Sequence, residues 1–259
     1  MSDPRILAAG LLATTLLFLG YADQARSQIK QSIALAHDRP SPKALIGVIA
    51  GFLHLIVREP QSVLDYAERN IALASQYGFP WERAFSTSQR GWARAQLGQP
   101  DQGVAELRAG LDQLDEIGVS TKVAHFTAPL VEGLLKAGHI EEGLNLVSEA
   151  VAFARATGAQ FYEPDYYRLE GDLLLMKSAE QTASAEGCFR KAIEIAGQHG
   201  AKWFELRASL SFARLLNRQG RRDEARTMLA EIYGWFTEGF DTADLKDAKA
   251  LLDELREDQ

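Results

Sequence analysis

Histidine, cysteine and paired acidic residues are the side chains in this 259-residue sequence whose types could support catalysis or metal binding. The histidines are His37, His54, His125, His139 and His199. None of them stands three or four residues from another, which is the spacing that places two metal ligands on one face of a helix. The sequence also lacks a G-x-S-x-G nucleophile elbow. We therefore expect no metal, no other cofactor and no enzyme activity in this chain.

The acidic pairs Glu141-Glu142 and Asp223-Glu224 resemble catalytic carboxylates only in composition. Each pair falls in the first turn of an expected helix, where exposed amides and the helix dipole favour negative charge. A structural role is therefore the stronger interpretation. Cys188 is the only cysteine, so no intrachain disulfide can form, and its apolar neighbours indicate a small core residue.

A turn signal that ends one helix and begins the next recurs along the sequence. In the copy at 97–103, Gly98 can take the left-handed conformation that ends a helix, while Pro100 and Asp101 suit the first turn of the following one. Similar signals occur at 19–25, 137–143 and 219–225. A weaker copy lies at 58–63, and a longer link without the glycine stop lies at 178–187.

The small residue that closes each signal sets a repeat register. These residues are Ala25, Val63, Gly103, Gly143, Gly187 and Ala225, at separations of 38, 40, 40, 44 and 38 residues by subtraction. A period in this range is typical of a solenoid of stacked helix pairs. We expect one repeat domain over 1–259, with pairs at 4–40, 43–79, 81–118, 121–158, 161–200 and 202–236.

The hydrophobic pattern within these segments predicts helices only. Apolar residues recur at intervals of three and four, and no segment alternates with period two. A break at 239–242 precedes a last helix, expected over 242–257, with leucines and an alanine on one face. Such a helix covers the apolar side that the last repeat would otherwise expose. The predicted fold is therefore all-α, with about six helix pairs and a C-terminal capping helix.

Composition and charge narrow the function classes. Charged residues make up 24% and hydrophobic residues 46% of the chain, which is typical of a soluble protein. The net charge of −7, with Arg221-Arg222 as the nearest thing to a basic cluster, argues against nucleic-acid binding. Together with the single cysteine, these features predict a cytoplasmic protein.

The apolar run Ile6–Gly20 has two interpretations. Because it follows Arg5, it resembles the hydrophobic part of a signal peptide or a short membrane anchor. Asp3 stands in the would-be basic region, however, and the run ends on the turn signal in register with the later copies. We therefore favour a buried first repeat helix with no membrane role. Being apolar nearly all round, that helix would need cover on both sides, from a further domain or a partner chain.

The register resembles that of the tetratricopeptide repeat. Gly91 lies twelve residues before Gly103, which matches the spacing between the small residues on the two helices of that repeat. Gly171 and Ala213 occupy the first-helix position in later pairs. The resemblance implies a right-handed superhelical solenoid in which the first helix of each pair lines a concave groove.

Two stretches, 161–175 and 219–242, look like the C-terminal repeat regions of large bacterial signalling proteins. Those proteins place a signal-transduction ATPase module, often with a class III adenylate cyclase or a LuxR-type DNA-binding domain, ahead of the repeats. No phosphate-binding glycine loop followed by Lys-Ser/Thr, and no cyclase carboxylate motif, is found in this sequence. The resemblance therefore implies a sensor or regulatory arm without the catalytic part.

The groove that the resemblance implies supplies the candidate binding residues. They are Phe85, Ser88, Trp92, His125, Glu132, Asp165, Arg168, Asp172, Arg207 and Arg214. Arginines at these positions could hold ligand carboxylates through paired hydrogen bonds, and Trp92 and Phe85 could serve as apolar anchors. In the alternative interpretation, the arginines pair with Asp165, Asp172 and Glu132 inside the protein.

We therefore expect a non-catalytic interaction scaffold that binds a peptide or a partner domain in this groove. A small-molecule effector is a second class of ligand for the same architecture. The alternative is the regulatory arm of a nucleotide-hydrolysing or adenylate cyclase signalling protein whose catalytic part is not in this chain.

Overall fold

A computed structural model of the protein describes residues 4–36, 40–119, 124–158 and 160–257. Within these residues the chain forms thirteen α-helices and no strand. The helices are α1 (Pro4–Phe18), α2 (Ala22–Ala36), α3 (Pro40–Ile56), α4 (Pro60–Tyr77), α5 (Pro80–Gln96), α6 (Pro100–Glu116), α7 (Ala124–Ala137), α8 (Ile140–Thr157), α9 (Glu163–Lys177), α10 (Thr182–Gln198), α11 (Lys202–Arg218), α12 (Arg222–Trp235) and α13 (Ala243–Glu257). Short 3-10 turns lie at Gln160–Tyr162 and Ala179–Gln181. The expected all-α fold of consecutive helix pairs is confirmed.

The turns inside the helix pairs fall where the sequence placed them. Gly98 separates α5 from α6 with a φ of 91°, a left-handed conformation that costs glycine nothing and other residues about 1 kcal/mol or more. Glycines with positive φ occupy the corresponding turns at positions 20, 138 and 220. The α3–α4 turn is different because Arg58 takes this conformation there, with a φ of 59°.

The fourth residue of every second helix is small and buried. These residues are Ala25, Val63, Gly103, Gly143, Ala185 and Ala225. The prediction that Gly187 sets the register on α10 is wrong by two positions, because Gly187 is exposed, whereas Ala185 is 0% exposed. The α9–α10 link, residues 178–181, is only one residue longer than most of the other links within pairs, so α10 begins at Thr182 and its fourth residue is Ala185.

Glycines let paired helices approach to backbone contact at one crossing. A Cβ atom placed on Gly103 would lie 2.5 Å from the carbonyl oxygen of Gly91, and one placed on Gly91 would lie 2.6 Å from that of Gly103. The twelve-residue spacing recognised in the sequence therefore marks the crossing of α5 and α6. Gly171 is likewise close-packed, with the Phe189 ring 2.5 Å from its would-be Cβ.

The chain divides into two compact units. The first contains α1 up to Leu17 together with α2–α7, and the second contains Phe18–Tyr21 together with α8–α13. In the second unit, α13 buries its predicted apolar face, which consists of Leu245, Ala248, Leu251, Leu252 and Leu255. Phe18 of the same unit packs against Phe161 and Phe204, with ring centroids 4.7 and 5.0 Å apart.

One face of α1 is not covered by the described chain. Leu7, Leu11 and Leu12 are 51%, 63% and 47% exposed, while Ile6, Ala13 and Leu17 are buried. The sequence predicted that both sides of α1 are covered, and the described residues cover one of them. None of the described helices combines the length and the apolar character that crossing a membrane requires.

Candidate functional site

Phe85, a predicted anchor of the groove, belongs to an aromatic cluster in the first unit. Its ring meets that of Phe126 on α7 edge to face, with centroids 4.4 Å apart, and lies 5.2 Å from the Trp81 ring. Phe52 of α3 approaches the same ring at 6.5 Å. Phe85 is therefore buried by its neighbours and joins α3, α5 and α7 in one apolar core.

Ser88 and Trp92 follow Phe85 along α5 and are also buried. The Ser88 side chain packs against Gly110 of α6, where a Cβ would collide with it. The Trp92 indole N–H donates a hydrogen bond of 2.7 Å to the Glu132 carboxylate on α7. Trp92 and Glu132 are thus brought together, and the indole orients a carboxylate that stays partly exposed.

Two buried amides that sequence reasoning missed lie beside these residues. The Gln89 side-chain amide donates to the Val48 carbonyl at 2.8 Å, and the Asn70 amide donates to the Ser86 hydroxyl at 2.8 Å. Gly47 and Gly51 of α3 leave the space, since a Cβ there would lie 2.6 and 2.7 Å from the two amide oxygens. The G-x-x-x-G spacing in α3 was the available signal for this close approach.

In the second unit, Arg168 lies between two of the predicted acidic residues. Its Nε is 2.6 Å from Asp165 Oδ1, and its Nη1 is 3.0 Å from Asp172 Oδ2. The Ser211 hydroxyl of α11 is 3.5 Å from the same Asp172 oxygen. Because both carboxylates stand one helical turn from Arg168 on α9, the helix itself assembles this ion cluster.

Arg207 of α11 extends the cluster toward α13. Its Nη1 lies 3.6 Å from Asp165 Oδ2, and its Nε lies 3.9 Å from Asp244 Oδ2. The side chains of Asp165 and Asp244 are almost completely buried. Four of the predicted groove residues are therefore linked by internal ion pairs, as the alternative interpretation expected for Asp165, Asp172 and the arginines.

The two carboxylates held by Arg168 have pKa values shifted in opposite directions. Burial alone would raise the pKa of Asp165, but the guanidinium charges of Arg168 and Arg207 outweigh it and hold that pKa below its ordinary value. Burial also raises the pKa of Asp172, and Arg168 offsets only part of that effect. Asp165 is thus the firmly ionised partner of the arginines.

Arg214 is the most accessible of the predicted arginines. It projects from α11 into a cleft of about 400 Å³ that α13 closes on the other side. Its side chain is 45% exposed, and its Nη2 is 3.3 Å from Asp247 Oδ2. One turn further on, the Asn217 amide donates to Glu254 at 2.9 Å. The cleft thus offers a cation, an amide and carboxylates to a ligand.

His125, the remaining predicted site residue, is the second residue of α7, and its side chain lies outside the described part of the structure. The binding roles of all ten predicted residues stay predictions. In the ranges that the structure describes, no three His, Cys, Asp or Glu side chains converge as metal ligands would.

The repeat resemblance has support from comparison with known proteins. The tetratricopeptide repeat family model matches residues 6–31 and 206–231. The first match covers most of α1 and α2, and the second covers most of α11 and α12. The family pattern therefore falls on the first and the last helix pair of the series.

Two solved structures are similar over almost the whole chain. NprR in complex with its cognate peptide NprX has a TM-score of 0.70 at 14% identity, over 97% of this chain and 72% of that one. A Rap protein complexed with Competence and Sporulation Factor has a TM-score of 0.65 at 12% identity, over 98% of this chain and 88% of that one. A comparison with curated proteins gives no match.

At such identities the similarity shows the fold alone. The protein has an all-α fold of consecutive, tetratricopeptide-like helix pairs. The resemblance of residues 161–175 and 219–242 to the repeat regions of ATPase, cyclase and LuxR-type regulators stays a prediction.

Proposed function

We propose that the protein is a non-catalytic scaffold that binds a peptide, either free or as a segment of a partner protein. The peptide lies in the second unit, in the cleft between α11 and α13, where Arg214 of the predicted groove residues stands. The observation that carries the proposal is Arg214, which is partly exposed in an open cleft beside acceptor and donor side chains.

The ion pair of Arg214 suits exchange with a ligand. An ion pair between exposed side chains contributes about 0–1 kcal/mol, so replacing Asp247 by a peptide carboxylate costs the protein little. The new pair can be bidentate, since the guanidinium presents two parallel N–H groups. Asn217 and Glu254 can pair with the N–H and C=O groups of an extended peptide.

The arginines of the buried cluster serve a different purpose in this proposal. Arg168 and Arg207 are occupied by Asp165, Asp172 and Asp244, so they fix α9, α11 and α13 in place rather than contact the peptide. The structural neighbours support the choice of ligand, since NprR was solved with a peptide and the Rap protein with Competence and Sporulation Factor.

The test is selection of linear peptides from a random phage-displayed library on the immobilised full chain. Enriched peptides are labelled and titrated with wild-type protein, Arg214→Ala and Arg226→Ala by fluorescence anisotropy. Arg226 is the matched control because it also forms a 3.3 Å ion pair with an aspartate. It lies on α12, the second helix of its pair, and does not line the α11–α13 cleft. We expect Arg214→Ala to weaken binding about fivefold or more, and Arg226→Ala to leave it unchanged.

Two results would contradict the proposal. One is a selection that enriches no peptide over an unrelated helical protein. The other is a set of enriched peptides whose affinities for wild type, Arg214→Ala and Arg226→Ala are equal, which would place binding away from the α11–α13 cleft.

A further inference from the structure

A second cleft lies in the first unit, between α2 and α3, and plays no part in the proposed peptide site. It has a volume of about 140 Å³. Its walls are mainly carbon, from Leu17, Ala25, Ile29, Ala50, Leu53 and Val57. Protein interiors are normally packed without gaps of this size, so this cleft is a candidate binding site for a small molecule.

The small size of two wall residues creates the space. Ala25 and Ala50 face the cleft and are each 1% exposed, so neither α2 nor α3 fills it with a larger side chain. An apolar cavity of about 150 Å³ in another protein accepts benzene. The cleft therefore has room for one aromatic ring or for an alkyl chain of similar bulk.

Charged side chains stand together at one end of the cleft. Arg26 donates to Glu59 at 2.8 Å, and the His54 ring nitrogen Nδ1 is 2.5 Å from the other oxygen of Glu59. The His54 ring stacks on Tyr66, with centroids 5.2 Å apart. The hydrogen bond with His54 and the charges of His54 and Arg26 hold the pKa of Glu59 below its ordinary value, against the effect of burial.

Lys30 adds a positive charge one helical turn beyond Arg26. Lys30 and Ile33 line the cleft and are exposed, so its mouth opens at this turn of α2. Within the described residues, no hydrogen bond or ion pair engages the Lys30 ammonium group. The mouth thus pairs an apolar interior with a cation that has no carboxylate partner in the described protein.

We propose that this cleft binds a small carboxylic acid with an apolar group the size of a phenyl ring or a short alkyl chain. The apolar group lies between α2 and α3 against Ala25 and Ala50, and the carboxylate lies at the mouth beside Lys30, with Arg26 one turn away. The same chemistry is offered by a free acid and by the C-terminal residue of a peptide, and the test distinguishes these two sources.

The test uses isothermal titration calorimetry on the full chain with sodium octanoate, octan-1-ol and the peptide acetyl-Gly-Gly-Phe, the last with either a free or an amidated C-terminus. The variants are Lys30→Gln, Ala25→Leu and the control Lys136→Gln, which changes an exposed lysine of α7. We expect octanoate to bind at one site. Lys30→Gln should weaken it about threefold to fivefold, since an exposed charge pair is worth at most about that factor. Ala25→Leu should weaken it more than tenfold by filling the cleft, and Lys136→Gln should have no effect.

The titrations with octanol and the two peptides test whether the carboxylate is needed and whether it comes from a free acid or from a peptide C-terminus. Octanol should bind to wild type as weakly as octanoate binds to Lys30→Gln, because neither complex has the contact between a ligand carboxylate and the Lys30 ammonium group. If the free-acid peptide binds more tightly than octanoate and its amide does not, the source is a peptide C-terminus; the reverse order identifies a free acid.

The proposal is overturned if neither octanoate nor the free-acid peptide binds, or if Lys30→Gln binds them as wild type does. The Lys30 comparison stays decisive if Ala25→Leu fails to fold. Arg214→Ala lies in the other unit and should leave octanoate binding unchanged, so the peptide proposal and this one can fail separately.

Discussion

The two units of the molecule bury polar groups of different kinds. The buried polar side chains described in the first unit are uncharged: Ser32, Asn70, Ser86, Thr87, Ser88 and Gln89. Those of the second unit include four ionisable ones, Glu163, Asp165, Arg168 and Asp244, beside Ser209 and Thr242. In the first unit, the buried amides donate to the Val48 carbonyl and the Ser86 hydroxyl, and Gln89 Oε1 has no hydrogen-bond partner among the described residues. The second unit instead pairs buried charges with one another.

Neighbouring helices are therefore joined by buried neutral hydrogen bonds in the first unit and by ion pairs of buried carboxylates in the second. A neutral buried hydrogen bond can be lost at the cost of one unsatisfied group, about 1–3 kcal/mol. Removing one member of a buried ion cluster leaves a charge without compensation, which costs about 3–5 kcal/mol. The helices of the second unit are therefore more sensitive to single substitutions at their polar contacts, and four experiments can test or refine that contrast.

The largest effect is expected from Arg168→Met. This change leaves the buried Asp165 and the partly buried Asp172 without their nearest cation, so the free energy of unfolding should fall by about 3–5 kcal/mol. Urea titration of the full chain, followed by circular dichroism, measures the loss. The counterpart in the first unit is Asn70→Ala, which should cost about 1–3 kcal/mol. Equal losses for the two variants would remove the contrast between the units.

A second expectation concerns helix contacts made by backbone alone. Gly103→Ala should destabilise the protein by about 2–3 kcal/mol, because the added Cβ meets the Gly91 carbonyl oxygen and the Ala95 amide nitrogen. The matched change in the second unit is Gly187→Ala, where nothing lies within 4 Å of the added atom. That variant should be about 0.5–1 kcal/mol more stable than wild type, since alanine is the better helix former. Thermal unfolding of both variants provides the comparison, and a destabilised Gly187→Ala would restore Gly187 as the register residue.

A third experiment uses pH to separate the ionic contacts from the neutral ones. The pKa of Asp165 in the folded protein lies below its unfolded value of about 3.9, so its ionised form stabilises the fold above that pH. This contribution is lost as the pH falls through the folded pKa. Arg168 keeps Asp172 and Arg207 keeps Asp244 when Asp165 is changed, so Asp165→Asn should cost less than Arg168→Met, about 2 kcal/mol at pH 7. The difference from wild type should shrink below about pH 4.

Urea titrations of wild type and Asp165→Asn between pH 7 and pH 3 measure this dependence. The control is Asn70→Ala, whose difference from wild type should stay constant over the same range because neither Asn70 nor Ser86 titrates. A constant difference for Asp165→Asn would show that its carboxylate is not stabilised by the arginines.

The smallest expected effect lies in the turns. Arg58 of the first unit holds the left-handed conformation that glycine provides at Gly220 of the second. Arg58→Gly should stabilise the protein by relieving about 1 kcal/mol of backbone strain. Any stabilising contact of the Arg58 side chain, lost in the same change, reduces this gain. Gly220→Arg should lose a similar amount. An unchanged melting temperature in both variants would mean that neither turn carries the expected strain.

Most of the fold could be predicted because its signals are local. Gly98, Pro100 and similar residues act on their own turn of the backbone, so the ends of α5 and α6 followed from the residues between them. The burial of the α13 face followed from its leucine spacing. The fifth register residue was misplaced because Gly187 and Ala185 are both small, and only the neighbouring helix decides which of them is covered.

The candidate site was less predictable. Arg168, Arg207 and Arg214 share one residue type and comparable positions on α9 and α11, yet Arg168 is buried in an ion cluster and Arg214 is partly exposed. The amides of Gln89 and Asn70 gave no signal of their own, since their burial depends on the glycines of α3. The α2–α3 cleft likewise arises from what faces Ala25 and Ala50.

Where the helices begin and end, that they come in pairs, and that the last one carries an apolar face could all be predicted from the amino-acid sequence alone. These properties depend on backbone preferences and on periodicity within a few turns. Which small residues lie at helix crossings, which arginines are neutralised and where space remains follow from the packing of the folded helices. Apart from the ion pairs that Arg168 forms within α9, those outcomes depend on side chains of neighbouring helices, which lie at least a dozen residues away along the chain.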